Sequence, residues 1–398
     1  FPSQYLHDNV SFSTNLPLVS FAVGIDPLSK FFLLIIFGIS LVVGVYGFGY
    51  IKGQKRLIDS VPFFPLLIAA MIGVVIARDG FSFIIIWEIM SLASFFLVTS
   101  EHEKSEVQRA GWIYLIATHL ATAFLMAFFV ILANANNSFL FNDFVASPIK
   151  EPFLAGALFI FALIGFGTKA GFFPLHVWLP HAHPAAPSYV SALMSGVMIK
   201  TGIYGILRTI TFLGAPPLWW GELLIVVGVV SAVMGILYAV MQHDLKRLLA
   251  YSSIENIGII ITGIGIGLMG VAKGNAFVTM LGLGGAVFHL LNHAIFKSIL
   301  FLCAGNLAHT VHSLSIDNLG GLIKKMPITG TVFLIAAMAI CGLPPLNGFI
   351  SEWLVFRTFF EGSIRFNKPG ITLSVFSAIA LALIGGLAAA CFSKAFHE

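Results

Sequence analysis

Apolar residues in this chain come in long unbroken runs separated by short clusters of glycine, proline and charge. Runs of this kind suit helices that cross a hydrocarbon core, which takes roughly 20 residues each. Placing boundaries at the breakers predicts eleven crossings, near 29–50, 61–77, 80–100, 109–133, 153–179, 186–212, 219–242, 246–270, 276–305, 327–360 and 371–392. Two are interrupted. In 153–179 the run Gly165-Phe-Gly-Thr-Lys169-Ala-Gly-Phe-Phe-Pro174 is expected to break the helix. In 327–360 the break is Cys341-Gly-Leu-Pro344-Pro345-Leu-Asn-Gly348. Each is predicted to remain one span, because proline removes backbone donors without supplying a loop long enough to reverse direction.

Basic residues in the loops favour that count. Assigning sides alternately puts Lys52, Lys55, Arg56, Lys104, Arg109, Lys246, Arg247, Lys324, Lys325 and Lys394 on one side. Arg78, Lys150, Lys273, Arg365 and Lys368 fall on the other. Ten against five marks the first side as cytoplasmic. With the first crossing set aside, the other ten form two fives, and in each five the fourth member is the broken helix. Five is odd, so the second set must be inverted relative to the first. Paired interruptions in inverted halves point to the transport site of a secondary transporter. The expected organisation is an N-terminal segment and first span over 1–60, one half over 61–212 and a second over 213–398. The fold class is an all-α polytopic membrane protein of about 11 spans, the length of each set by the bilayer.

Composition agrees with a lipid environment. Apolar residues make up 58% of the 398 and charged residues 10%, where a water-soluble protein carries about a quarter. The net charge of +4 calls for no nucleic-acid partner. Cys303, Cys341 and Cys391 are far apart in apolar segments, without metal, haem or iron–sulfur spacing. They are expected to be packing residues, and the chain to hold no cofactor or metal of its own. The opening stretch of about twenty mixed residues resembles neither a signal peptide nor a complete first helix. The expectation is a piece of a longer protein.

The candidate chemistry lies in ionisable residues inside the spans. Glu88 sits mid-span in Phe83-Ile-Ile-Ile-Trp87-Glu88-Ile-Met. A lone charge there costs at least about 2.5 kcal/mol and calls for a partner or a role. Lys169, beside the first break, is the expected partner: a buried lysine coupled to a carboxylate forms a proton switch, although a fixed structural ion pair is the alternative. Lys200 lies deep in the next span and could receive the proton, snorkelling being its plainer reading. His289, His293 and Lys297 recur every fourth residue, on one helical face, and read as a relay. Glu255 on the preceding span and Glu352 after the double proline would flank that column. His119, at the matching place in the first half, is an auxiliary candidate. So is His176, which lies with His181 and His183 in a proline-rich link where solvated or capping roles are expected rather than metal binding. Gly263-Ile-Gly-Ile-Gly267 lies in an apolar helix with no preceding strand and predicts close helix packing, not a phosphate loop.

At these residues the chain resembles the antiporter-like, proton-translocating membrane subunits of respiratory complex I, multisubunit cation/proton antiporters and energy-converting hydrogenases. The motifs are Trp87-Glu88-Ile-Met-Ser91-Leu, Lys169-Ala-Gly-Phe-Phe-Pro-Leu-His176-Val-Trp-Leu-Pro180-His-Ala-His-Pro, Ser191-Ala-Leu-Met, Asp244-Leu-Lys-Arg247-Leu-Leu-Ala-Tyr251-Ser-Ser and His293-Ala-Ile-Phe-Lys297-Ser-Ile-Leu-Phe. The stretch Ala-His183-Pro-Ala-Ala-Pro-Ser with Ser195-Gly-Val-Met-Ile-Lys200-Thr-Gly is most similar to the large membrane subunit of hydrogenase-4 and formate hydrogenlyase complexes. The resemblance implies that Glu88 and Lys169 form the switching pair, Lys200 is the intermediate carrier, His293 and Lys297 belong to the central relay, and Glu352 is the exit-half residue. It departs in having no histidine on the span carrying Ser195, where some members have one, nor at Asn256, where others do; Glu255 is the candidate substitute for the latter. It also implies about fourteen spans in the whole subunit, more than this chain holds.

The functional expectation is a multi-pass subunit of a prokaryotic inner membrane that moves protons, or sodium, while peripheral redox subunits and other membrane subunits complete an oxidoreductase complex. The alternative is a subunit of a cation/proton antiporter without a redox partner; a membrane scaffold without transport is the third reading.

Overall fold

The structure, a computed structural model, describes residues 9–13, 20–52, 60–366 and 368–397. Lys55 and Arg56, counted above among the loop bases, lie outside the described residues, as does the side chain of Lys368. In chain order the elements are a strand pair, β1 Asn9–Ser13 and β2 Ser20–Gly24, then α1 Pro27–Ile51, α2 Phe63–Ile76, α3 Gly80–Val98, α4 Ser105–Asn136, α5 Phe141–Ala146, α6 Pro152–Ala170, α7 Leu179–Ala185, α8 Ser188–Leu193, a π-helical turn Met194–Met198, α9 Ile199–Leu213, α10 Leu218–Val240, α11 Leu245–Ala272, α12 Ala276–Val311, α13 Pro327–Ile340, α14 Asn347–Arg365 and α15 Lys368–His397. Among the described residues nine segments are helical, long and apolar enough to cross a membrane, with Ser188–Leu213 counted as one. α2 and α13 are shorter apolar helices at the other two expected places. Helix prevails because only internally satisfied backbone is stable in lipid.

Two compact units emerge, Phe1–Ala170 with Val197–Ala215, and Gly171–Gly196 with Pro216–Glu398. The first opens on β1 and β2, antiparallel with Asn9 opposite Gly24. This hairpin was not expected; its period-two alternation is too short to stand out beside helical runs. α1 and α3 each begin on an aspartate whose carboxylate accepts the backbone N–H three residues on, Asp26 from Ser29 (2.8 Å) and Asp79 from Ser82 (2.7 Å). Asp26 also binds Arg208 of α9 through both terminal nitrogens (2.5 and 3.0 Å) and lies 3.4 Å from Arg78. Arg78 is therefore not a solvated loop charge. It is 2% exposed and also donates to Ser29 Oγ and to the carbonyls of Val75 and Ala77.

The second unit is built on backbone-to-backbone packing of α10 against α11. A Cβ at Gly228 would meet the Gly258 carbonyl at 2.7 Å, one at Gly265 the Gly221 carbonyl at 2.7 Å, and one at Gly235 the Glu255 backbone nitrogen at 2.5 Å. Gly263 and Gly267 make the same close approach to α12, at Ala286 and Leu283, as the glycine run predicted. Backbone cannot swing aside as a side chain can. Gly235→Ala is accordingly expected to cost about 1–3 kcal/mol through overpacking, read as a lower thermal midpoint of the purified protein; an unchanged midpoint would show that α10 is free to move off.

The breaks fall slightly later than expected at the first site. α6 runs unbroken through Gly165, Gly167 and Lys169 to Ala170. Gly165 serves packing instead, since a Cβ there would strike Leu125 of α4. Helix ends at Gly171 (φ +79°), followed by a cis Phe173–Pro174 bond. The second break repeats the layout, with Gly342 (φ +61°) and a cis Pro344–Pro345 bond. In both places a left-handed residue ends the helix, where glycine alone carries no Cβ penalty.

Candidate functional site

In the first unit, α3, α4 and α6 converge on Lys169, which is 1% exposed. Its Nζ donates to Ser91 Oγ of α3 (3.0 Å) and Tyr114 OH of α4 (2.9 Å), and lies 5.8 Å from the Trp87 ring centre. Tyr114 OH in turn shares a short hydrogen bond with Ser94 Oγ. Hydroxyls donate as well as accept. The cradle therefore serves a neutral amine as readily as an ammonium, which is what a site that gains and loses a proton requires.

Glu88 stands one turn before Ser91 on α3, within electrostatic reach of Lys169. Its direct partner is not the lysine. Glu88 Oε2 lies 3.4 Å from His119 Nε2, while Oε1 is buried with no hydrogen-bond partner among the described residues. His119 Nδ1 lies 3.0 Å from the Leu115 carbonyl. A carbonyl only accepts, so Nδ1 carries a proton and Nε2 is the nitrogen that faces the carboxylate. Lys200 is 1% exposed, too deep to snorkel. It is held there because Gly202 brings α9 against the last turn of α6, where a Cβ would sit 2.5 Å from the Phe166 carbonyl and 2.7 Å from Ala170 N. The π turn Met194–Met198 ends two residues before it.

In the second unit His289, His293 and Lys297 are all fully buried along α12. Lys297 Nζ donates to the Leu249 carbonyl (2.8 Å) and Ser252 Oγ (2.5 Å) of α11. Glu255, one turn beyond Ser252, lies within electrostatic reach of Lys297 and Glu352, and its Oε2 is buried without a hydrogen-bond partner among the described residues. His289 bridges two helices, with Nε2 3.1 Å from Asn256 Oδ1 on α11 and Nδ1 3.0 Å from Ser351 Oγ on α14. Glu352 folds back over the second break, where its Oε2 would be 2.5 Å from a Cβ at Gly342. The ionisable residue beside each break is thus in place.

The proline-rich link behaves differently from expectation. His183 is fully buried rather than solvated, its ring stacked 5.0 Å from Phe301 and 6.4 Å from Trp178. The apolar rings of α12 and of the link itself exclude water there. His176 lies in the first break with its ring stacked on Phe173 at 5.1 Å. Sequence reasoning passed over the neutral partners: Ser91, Ser94 and Tyr114 around Lys169, and Ser252, Asn292 and Ser351 in the second unit. Their one available signal is spacing. Ser91 follows Glu88 by three, Ser252 precedes Glu255 by three, and Asn292 follows His289 by three, each one turn along the same face.

The chain is similar to known membrane proteins along most of its length. Residues 77–379 match the family described as NADH:quinone oxidoreductase/Mrp antiporter, TM, and residues 13–64 match NADH-Ubiquinone oxidoreductase (complex I), chain 5 N-terminus. The chain is 41% identical to hydrogenase-4 component B of Escherichia coli K12 over 377 residues, covering 93% of the chain and 56% of that protein. It is 36% identical to formate hydrogenlyase subunit 3 of the same organism over 387 residues, covering 97% and 62%. With the Na(+)/H(+) antiporter subunit A1 of Staphylococcus haemolyticus it shares 32% over 389 residues, covering 95% and 47%. The solved Mrp complex of Dietzia sp. superposes with a TM-score of 0.81 at 28% identity, over 98% of this chain and 40% of that one. The chain spans about half the length of the curated relatives it matches.

Proposed function

The chain belongs to the NADH:quinone oxidoreductase/Mrp antiporter family of multi-pass membrane proteins, and from that premise we propose that it is the proton-translocating membrane subunit of an energy-converting complex of the hydrogenase-4 or formate hydrogenlyase type. The observation that carries this reading is the doubling of one arrangement. In each unit a buried lysine sits in a cradle of polar groups within electrostatic reach of a glutamate, part-buried in the first unit and fully buried in the second, and an ionisable side chain lies against a helix break. Two half-channels follow, Glu88–Lys169–Lys200 and Glu255–His289–His293–Lys297–Glu352. Electron transfer takes place in partner subunits, and this chain moves the proton.

Its relatives are components and subunits of multisubunit assemblies. The first unit carries a feature that suits such a setting. His119 is 49% exposed at mid-span on α4, beside the exposed apolar Ile116 and Leu120. A polar ring facing lipid there is costly, and a helix of another membrane subunit would cover it.

A second reading is a cation/proton antiporter subunit without a redox partner, favoured by the likeness to the Mrp complex over nearly the whole chain. Vesicles containing the native complex separate the two. Addition of an electron donor is expected to acidify or alkalinise the lumen against a fluorescent pH indicator, with no response to sodium. If a preset pH gradient instead collapses on sodium addition and no donor generates one, the antiporter reading replaces it.

A further inference from the structure

The Asn256–His289–Ser351 bridge contains more information than a pair of contacts. Asn256 Nδ2 lies 2.8 Å from the Ser252 carbonyl, which can only accept. The amide is thereby oriented with Oδ1 toward His289 Nε2, so Nε2 must carry a proton in every state of the ring. Only Nδ1 is left to titrate. It faces Ser351 Oγ, which also receives a hydrogen bond from Asn292 Nδ2 (3.0 Å) and lies 3.0 Å from the Gly348 carbonyl.

We propose that His289 exchanges its proton solely at Nδ1, and that Ser351 is the positioning residue that makes both charge states stable by turning its hydroxyl. When the ring is neutral, Ser351 O–H donates to Nδ1. When a proton arrives, Nδ1–H donates to Ser351 Oγ, and the hydroxyl hydrogen swings to the Gly348 carbonyl. One N–H bond forms at Nδ1 as the incoming carrier's bond to that proton breaks, and beyond that transfer only hydrogen bonds are exchanged. In both states Ser351 Oγ keeps the Asn292 donor, and the Gly348 carbonyl keeps the intrahelical bond that a first-turn residue makes to the N–H four residues on. Neither state leaves a buried hydrogen-bonding group of this bridge without a partner.

The hinge of this device is the first turn of α14, directly after the second break. Asn292 and Asn347 exchange reciprocal hydrogen bonds, Asn292 Nδ2 to the Asn347 carbonyl (2.8 Å) and Asn347 Nδ2 to Asn292 Oδ1 (3.0 Å), tying that turn to α12. Protonation of His289 therefore registers on the helix that carries Glu352. Among the ionisable groups of this cluster are Glu255 on α11, His293 and Lys297 on α12, Cys341 in the break, Glu352 on α14 and Cys391 on α15. This assignment rests on the proton-translocating reading above.

Nitrogen-15 histidine labelling of the intact complex in lipid bilayers tests it, with the His289 signals identified by their loss in His289→Gln. The expected result is a protonated Nε2 at every pH, with Nδ1 changing from bare to protonated across the titration. Ser351→Ala is expected to slow proton uptake at least about tenfold and to move its pH profile, while Ser351→Thr, which keeps the hydroxyl, restores both. A neutral ring protonated at Nδ1 overturns the proposal, as does a Ser351→Ala complex with unchanged uptake and pH profile. Those outcomes leave the functional reading intact if Lys169→Ala still abolishes uptake; loss of the functional reading would show instead as uptake indifferent to Lys169.

Discussion

Lys169→Ala in the reconstituted complex is expected to reduce proton uptake by on the order of 10²-fold or more, while redox turnover in the partner subunits persists or becomes uncoupled. The reasoning starts from the cradle. Ser91 and Tyr114 hold an amine that lies within electrostatic reach of Glu88 in the first unit's cluster. Removing it leaves two hydroxyls that ionise too reluctantly to carry a proton at cellular pH. It also removes the positive neighbour that offsets the Glu88 charge in a setting where an unpaired carboxylate is costly. Lys169→Arg sharpens the test. A guanidinium keeps the charge but does not release its proton, so Arg is expected to be as inactive as Ala. If Arg supports pumping, Lys169 is an electrostatic anchor and not a carrier. Uptake unchanged in both Lys169→Ala and Glu88→Gln would remove the relay assignment from the first unit altogether.

The largest expected effect on stability belongs to Asp26→Ala. Asp26 is the carboxylate that faces two buried guanidinia, Arg208 at 2.5 and 3.0 Å and Arg78 at 3.4 Å, and it caps α1. Removing one member of a buried charge cluster strands the others, at about 3–5 kcal/mol, and loss of the cap adds roughly 1 kcal/mol. A lower thermal midpoint in detergent, with poorer yield of folded protein, is the readout. Burial pushes the Asp26 carboxyl up, but the hydrogen bond and charge of Arg208, the Ser29 N–H and the charge of Arg78 outweigh it and hold the group well below the usual carboxylate range. Since the native pKa lies below the unfolded value of about 3.9, the contribution is fully present above that pH and is lost as pH falls through the native pKa. Wild type should therefore lose stability below about pH 4 through this group, and Asp26→Asn should lack that component. A wild-type midpoint already as low as that of Asp26→Ala at neutral pH would show that the cluster contributes nothing.

Much of the site was legible because buried charge is conspicuous in an apolar sequence. Glu88, Lys169, Lys200, Glu255, Lys297 and Glu352 stand out individually against their runs, and the four-residue rhythm of His289, His293 and Lys297 follows from helix geometry alone. The partners did not stand out. Pairing Glu88 with Lys169 is the natural guess from charge, yet the structure sets His119 against Glu88 and two hydroxyls against Lys169. His183 misled for a related reason: proline-rich composition suggests a solvated link, whereas packing against Phe301 buries it. Arg78 was counted as a loop base because sequence distance hides Asp26 and Arg208, its partners across the unit.

Sequence by itself determined that this chain lies in lipid, roughly where it crosses, where two helices stop in mid-span, and which groups can carry charge. These are local properties, decided by hydropathy over a run or by Gly and Pro at one position. Only the tertiary structure decided what stands opposite each charge: a hydroxyl pair for Lys169, a carbonyl and hydroxyl for Lys297, an amide and a hydroxyl for the two nitrogens of His289. Serine, tyrosine and asparagine are common enough in buried helices that nothing along the chain marks the few whose oxygen or nitrogen meets an ionisable group. That selection is made by helix packing, through the glycines that let α9 approach α6 and α10 approach α11.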